Sequence, residues 1–309
     1  MSLEIPVAFV QQYKSNILML SQQKQSILRP TVRFETMTGK RMAIERLAPK
    51  NPQKRTTRHA PTPVSDASHS RRWLTIVDYE VPADLIDDQD KLRLLIDPQG
   101  PYTQNQLSGL RRAQDDEIIA ALGATVYVGE EGSSSVTNYA VGESRLVSGS
   151  GAVVAAGSAH SDTVATPLSI AKLMTCKQIL DDAEIDKDRR RYFVTNPYNI
   201  NHFMNLTEVK SSDFNTSKPL ANGILYQFAG FTFLESTRLV TDTTEKDCKK
   251  CYAFAEGAIS YSAPQEPKVS ISIRHDLSDS VQVYCTQTCG AVRNEGPAVV
   301  EINLLEKPA

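Results

Sequence analysis

The sequence is short of cysteine, net charge and long apolar runs, and each shortage excludes something. Five cysteines in 309 residues are too few for a chain held together by disulfides, a device of small secreted domains. No apolar stretch approaches the roughly 20 residues that span a bilayer, so no membrane partner is expected. The amino-terminal "MSLEIPVAFVQQYK" has an acid where a secretory signal needs positive charge, and its apolar run is short. The chain is therefore expected to be unsecreted by that route. A net charge of −2 predicts no general attraction to nucleic acid or membranes, so an electrostatic partner must be met by local patches.

Catalytic signatures are equally scarce. "SGSGA" (148–152) lacks the spacing of a nucleophile elbow, and no Gly-rich phosphate loop with Lys-Ser/Thr is present. "DLIDDQD" gathers Asp84, Asp87, Asp88 and Asp90, but it has neither the turn glycine nor the closing Glu of a calcium loop. It reads as a solvated acidic face. His59 and His69 share one polar stretch and read as exposed side chains. No catalytic residue and no cofactor are expected, and the chain does not read as an enzyme.

The few cysteines are nevertheless clustered. Cys248 and Cys251 form C-x2-C, and Cys285 and Cys289 form C-x3-C. Four thiolates suit a structural zinc. Against this, "VQVYCTQTC" reads as a strand, where residues four apart are about 13 Å from each other. Metal binding, disulfide cross-pairing and free thiols all stay open. Cys176 fits a buried small apolar residue on its helix.

What is present is a mixture of helices and strands. Apolar steps of three and four from Pro6 to Gln25 predict an amphipathic helix. Thr31 to Leu47 reads as two short strands around a Thr-Gly turn, and Arg71 to Ile86 as another strand. "DDQDKLRLLIDP" looks like a short helix. Pro101 to Leu122 is the best helix, with Leu107, Leu110, Gln114, Ile118 and Leu122 along one side and Gly123 as its stop. Gly129 to Thr166 should be loops and weak strands. Thr166 to Ile185 reads as a helix opened by an N-cap and a first-turn Pro. "RRRYFVTN" is a strand and "PYNINHFMNL" a short helix. Asn222 to Leu239 reads as strand, Gly turn, strand, and two long strand patterns close the chain. No strict βαβ alternation appears, so the fold class is α+β.

Between two strand patterns lies "KRTTRHAPTPVSDASHSRRW" (54–73), rich in Pro and basic residues and almost without apolar ones. It makes the tip of a long hairpin-like excursion, and connections of this length are usually functional or disordered. From Lys40 to Arg72 there are nine basic residues, among them Arg46, Lys50, Lys54, Arg55, Arg58, Arg71 and Arg72, and two acids. From Asp78 to Asp97 there are seven acids and two bases. The two blocks could neutralise each other within the chain. Alternatively, the basic arm of one subunit could lie over the acidic surface of the next, a head-to-tail contact that generates rings and closed shells. Nucleic-acid binding by the arm is a third reading.

The order of these features resembles the major capsid proteins of tailed bacteriophages, whose fold encapsulins share. The matching segments are "FVQQYKSNILMLSQQKQS", "KRTTRHAPTP", "HSRRWLTIVDYEVPADLIDDQDKLRLLIDPQGPY", "DDEIIAALGATVYVGEEG", "AKLMTCKQILDD" and "EVKSSDFNTSKPLANG". The four clustered cysteines depart from the pattern.

The resemblance implies a non-enzymatic structural protein of the virion. It would form hexamers and pentamers, then an icosahedral shell around double-stranded DNA contacted without sequence preference. An immature procapsid that expands as DNA enters, assembly in the host cytoplasm, and scaffold, portal and cement partners belong to the same picture. It also implies an N-terminal arm (1–30), an extended intersubunit loop with flanking strands (31–97), a peripheral domain with a spine helix (98–165 and 264–309) and an axial domain (166–263). The intersubunit contact would use Arg46, Lys50, Lys54, Arg55, Arg58, Arg71 and Arg72 against Asp84, Asp87, Asp88 and Asp90 of a neighbour. An encapsulin-like compartment is the alternative within the fold, and a nucleic-acid-binding protein the alternative outside it.

Overall fold

The computed structural model describes residues 21–59, 62, 64–86, 99–138, 140, 143, 145–154, 166–206, 209, 225–242 and 248–306. The expected short helix around "DDQDKLRLLIDP" lies outside these residues, as does most of the expected N-terminal helix. The described end of the latter, Ser21 to Gln25, is not helical. Among the described residues no helix is long and apolar enough to cross a membrane.

The chain divides into two compact units. One holds the described residues among Met1–Gln25, Asp78–Ala113 and Gln265–Gln287; the other holds Ser26–Val77, Gln114–Pro264 and Thr288–Ala309.

The larger unit is built on a seven-stranded mixed sheet. Its order is Gln227–Phe228 (β10), Phe231–Glu235 (β11), Arg191–Thr195 (β9), Cys248–Ala255 (β12), Val299–Leu305 (β15), Arg145–Val147 (β7) and Val153–Val154 (β8). β12 runs antiparallel to both β9 and β15, whereas β9 with β11 and β15 with β7 are parallel. Every residue of β9 and all but the last of β15 are buried. That places β15 inside the sheet, since a strand whose two faces are both covered must sit centrally. Phe193 anchors the core, with ring centroids of Phe231 and Phe233 at 6.0 and 5.4 Å.

Two helices, Ile170–Asp182 and Pro197–Met204, flank this sheet. Ile170–Asp182 (α2) starts later than expected: Ser169 is its N-cap, accepting from Lys172 N at 3.3 Å. Thr166 instead donates its hydroxyl to Gly149 O. Pro197–Met204 (α3) follows β9 and is capped by Asn196. The spine-like helix runs Gln99–Gly123 (α1), close to expectation. Leu110, Gln114, Ile118 and Leu122 of its expected stripe are buried.

A smaller sheet has the order Arg41–Leu47 (β2), His69–Thr75 (β3), Val126–Val128 (β5) and Ser134–Val136 (β6), all neighbours antiparallel. Its inner face buries Leu74 and Val126 against Met37 and Val292, with Met42, Ile44 and Val128 packed beside them. A third sheet has the order Arg33–Phe34 (β1), Ile259–Arg274 (β13), Ser280–Arg293 (β14) and Val77–Ile86 (β4). The expected continuous strand from Arg71 to Ile86 is therefore two strands, β3 and β4, in different sheets. The two short strands expected between Thr31 and Leu47 form, but β1 pairs with β13 and β2 with β3. Near the β3–β4 break the chain passes tightly over β14. A Cβ at Gly290 would fall 2.2 Å from Thr75 O, so only glycine fits there.

In the smaller unit, Ile86, Val281 and Val283 form a core with Val269 beside them. Gln106 of α1 donates to Asp84 Oδ2 at 2.7 Å and to Val283 O at 3.2 Å.

Candidate functional site

The basic arm grows from the β2–β3 hairpin. Its register runs from Arg41 opposite Thr75 to Leu47 opposite His69, and Ala48 N extends it by donating to Ser68 O at 3.0 Å. Beyond this point the chain has no apolar face to bury and leaves the sheet. Lys50, Lys54, Arg55, Arg58 and His59 are exposed. The loop is held mainly by its own backbone. Lys50 Nζ donates to Ser65 O at 2.5 Å, and Arg55 Nε to Thr57 O at 3.0 Å.

The three arginines at the base of the arm behave differently, and the strand period explains why. Side chains alternate between the faces of a strand. In β3, Arg72 shares the inner face with Leu74, while Arg71 shares the outer face with Trp73. Arg72 is fully buried. It donates to Arg293 O at 2.6 Å and pairs with Glu143. Expecting Arg72 to reach a neighbouring subunit is thus corrected: its charge is committed inside its own subunit. Arg46 also turns inward from β2, donating to Asn294 O at 2.8 Å and to Ser70 Oγ at 3.2 Å. Arg71 alone of the three lies on the outer face. It pairs with Glu45 at 2.6 Å and holds that carboxyl below its usual range, chiefly through the hydrogen bond and then through its charge.

Glu143 is shared by two guanidiniums, since Arg293 approaches it at 3.5 Å. Arg293 also donates to Leu122 O at 2.8 Å and to Asn138. Asn138 passes the contact on to Glu301 at 3.1 Å, and Glu301 to Lys250 at 3.4 Å. Lys250 then lies 3.7 Å from Asp242, which accepts from Asn303 at 2.8 Å. The cations Arg72, Arg293 and Lys250 balance the carboxylates Glu143, Glu301 and Asp242. Burial pulls the Arg72 pKa down to about 10, with repulsion from Arg46 and Arg293 adding to it and Glu143 opposing. Arg72 remains charged at neutral pH. No sequence spacing points to this network, because its members come from distant segments.

The acidic block is only partly described. Asp84 is half-buried and engaged by Gln106; Asp87, Asp88 and Asp90 lie outside the described residues.

The cysteines do not form the site their spacing allowed. All five are buried and none is in a disulfide. Cys248 and Cys251 lie within β12, where an odd separation sends side chains to opposite faces. Cys285 and Cys289 lie within β14, four apart along an extended strand. Among the described residues no three His, Cys, Asp or Glu side chains gather to hold a metal ion. Burial pushes the Cys176 and Cys251 thiols up to about 12. Burial, and then the charge of Asp84, raise Cys285 as well.

A further feature was not evident from the charge count. On the outer face of the small sheet, Ala43, Trp73, Tyr127 and Ser135 stand in register across the four strands. Trp73 Nε1 donates to Gly129 O at 2.8 Å, and the Arg71 guanidinium lies 6.0 Å from the Trp73 ring centroid. The alternation of "RRWLT" was the available signal.

Comparison with known proteins places this arrangement. A family model described as phage capsid protein matches residues 5–306. A chain of the Cyanophage Pam1 capsid asymmetric unit superposes with a TM-score of 0.73 at 14% identity, covering 98% of both chains. The capsid of Cyanophage P-SCSP1u gives 0.72 at 14% identity, over 99% of this chain and 96% of that one. Mycobacterium phage Che8 gives 0.68 at 16% identity, over 95% and 97%. No curated protein matches the sequence.

Proposed function

Because the chain belongs to the phage capsid protein family, whose model it matches over residues 5–306, we propose that its work is self-assembly into a closed shell around phage DNA. Its role is structural and needs no catalytic centre. Copies associate as hexamers and pentamers, and these form an icosahedral shell in the virion after assembly in the host cytoplasm. Scaffold, portal and cement proteins are its expected partners in that process. Packaged DNA is met without sequence recognition, in keeping with a net charge of −2.

The observation that carries this reading is the arm beyond the β2–β3 hairpin. Its chain from Pro49 to Ser65 is exposed wherever described and carries Lys50, Lys54, Arg55 and Arg58. A segment with so little apolar surface cannot offset its ordering entropy on its own core. It becomes ordered by lying on another surface, and in a shell that surface is a neighbouring subunit. Each exposed ion pair adds little, but repetition around a closed shell adds much. A phosphate-binding role for the whole basic block is weakened at its base, where Arg71 is paired with Glu45 and Arg72 with Glu143.

Electron microscopy of the purified protein tests the proposal: closed shells or capsomers are expected, and a persistent monomer at high concentration overturns it. Shells that fill with DNA rather than protein cargo separate a phage capsid from an encapsulin-like compartment. Charge reversal at Lys54, Arg55 and Arg58 should block assembly and leave the subunit folded. Normal shells from that variant would remove the arm from the assembly contact.

A further inference from the structure

The arm needs a receiving surface, and a candidate lies on the outer face of the sheet from which the arm itself emerges. Leu47 and Tyr127 are 63% and 51% exposed there. Trp73, the chain's single tryptophan, stands directly opposite Tyr127 in a fixed pose. Its indole N–H is tied to Gly129 O. Gly132, at φ +69°, packs so closely that a Cβ would lie 2.9 Å from Trp73 Cδ1. The Gly129–Gly132 turn that grips the ring also carries Glu130 and Glu131, both exposed, and neither side chain forms an ion pair with a described residue. Beside the turn a cavity of about 510 Å³ at the sheet's edge takes Glu45, Arg71 and Glu130 from the outer side and Arg46 and Glu143 from the inner side.

A rigid Trp–Tyr–Arg cluster with a charged rim is the composition of a protein-binding hot spot. The rim selects the partner. Glu130 and Glu131 would repel phosphates, so the face is unsuited to nucleic acid. They match a cationic segment, and this chain carries one that is exposed and without a core. We infer that the Trp73–Tyr127 face, with Glu130 and Glu131, receives the Lys54–Arg58 stretch of a second copy of this chain. Arm and face are different surfaces, so the contact is heterologous and propagates head to tail, the geometry that closes into rings. The inference rests on the arm reading above and names its receptor as this face rather than the acidic block at Asp84–Asp90.

Charge exchange tests it. Glu130→Lys with Glu131→Lys should block assembly of folded subunits, as should Arg55→Glu with Arg58→Glu. Combining all four should restore shells visible by electron microscopy and sedimentation. If the glutamate variant assembles normally, or the four-fold variant does not assemble, the receptor assignment is overturned. Rescue of the arm variant by Asp87→Lys with Asp88→Lys assigns the receptor to the acidic block instead. If the arm variant alone assembles normally, the arm reading falls, and this inference with it. Trp73 gives an independent readout on the unaltered protein. Its emission should shift to the blue and lose accessibility to acrylamide when subunits assemble; unchanged emission and quenching overturn the assignment even if a charge variant fails to fold.

Discussion

Arg72 and Glu143 form an ion pair across 71 residues of sequence, with Arg72 fully buried and Glu143 nearly so. The pair ties the root of an exposed arm into the interior of the larger unit. Removing charges from water is costly, and further hydrogen bonds and opposite charges offset that cost. Arg293 O accepts from Arg72 and the Arg293 guanidinium approaches Glu143, while Arg72 Nε has no hydrogen-bond partner among the described residues.

Breaking the pair from one side should be expensive. Glu143→Gln strips the shared carboxylate from two buried guanidiniums, with an expected loss of about 3–5 kcal/mol, while Arg72→Met leaves Glu143 with Arg293 alone and should cost less. Replacing both partners with apolar residues should cost less than the worse single change. Denaturant unfolding of the two single variants and the double variant checks this, and additive losses would argue against a coupled pair.

Asp115 of α1 anchors the chain where it leaves residues 21–25. Its carboxylate accepts from Ser26 Oγ at 2.5 Å and from Ile27 N and Leu28 N at 3.1 Å. Hydrogen bonds to a charged group contribute about 1.5–3 kcal/mol each. Asp115→Ala should therefore release this segment and speed amide hydrogen exchange at Ile27 and Leu28. Unchanged protection at those amides would show that the carboxylate does not hold them.

The thiols of Cys176 and Cys251, pushed up to about 12 by burial, should be inert in the folded subunit. The thiolate is the reactive form, and at pH of about 8 neither cysteine supplies it. A thiol-specific reagent should label both only on unfolding, as read by mass spectrometry of peptides. Rapid labelling of either in the native protein would contradict their burial.

Asp181 pairs with Arg191 at 2.7 Å. The Arg191 hydrogen bond holds its carboxyl below the ordinary carboxylate value, against the opposing effect of burial. A folded pKa below the unfolded one means that the stabilisation is fully present above the unfolded value of about 3.9 and is lost as pH falls through the folded value. Asp181→Asn should therefore lower stability at neutral pH and make the difference from the parent protein shrink under acid. Stability curves measured across that range decide it; a difference that does not change with pH would assign the effect to packing.

Much of the fold was legible because its signals are local. The stripe of α1, the Asn196–Pro197 start of α3 and the Ala229-Gly230 turn between β10 and β11 each depend on neighbours within a few residues. The start of α2 was misplaced because both Thr166 and Ser169 can cap a helix, and only the extended backbone at Ser169 (φ −118°, ψ 161°) selects between them. The break between β3 and β4 was hidden for a related reason. An apolar pattern continues through Ile76, but the strands on either side pair with different sheets. The cysteine spacing was legible as chemistry and misleading as geometry, because C-x2-C inside a strand cannot present both thiols to one ion.

The sequence by itself determined the α+β class, the family and the presence of an arm too polar to fold on its own core. These follow from composition, period and motif order, which are properties of short stretches. Only the tertiary structure decided which arm charges are spoken for. Arg46 and Arg72 turn inward and Arg71 outward because strand parity is set relative to a core assembled from Met37, Leu74, Val126 and Val292. The partner of Arg72, the grip on Trp73 and the acidic turn beside it likewise come from segments that only folding brings together.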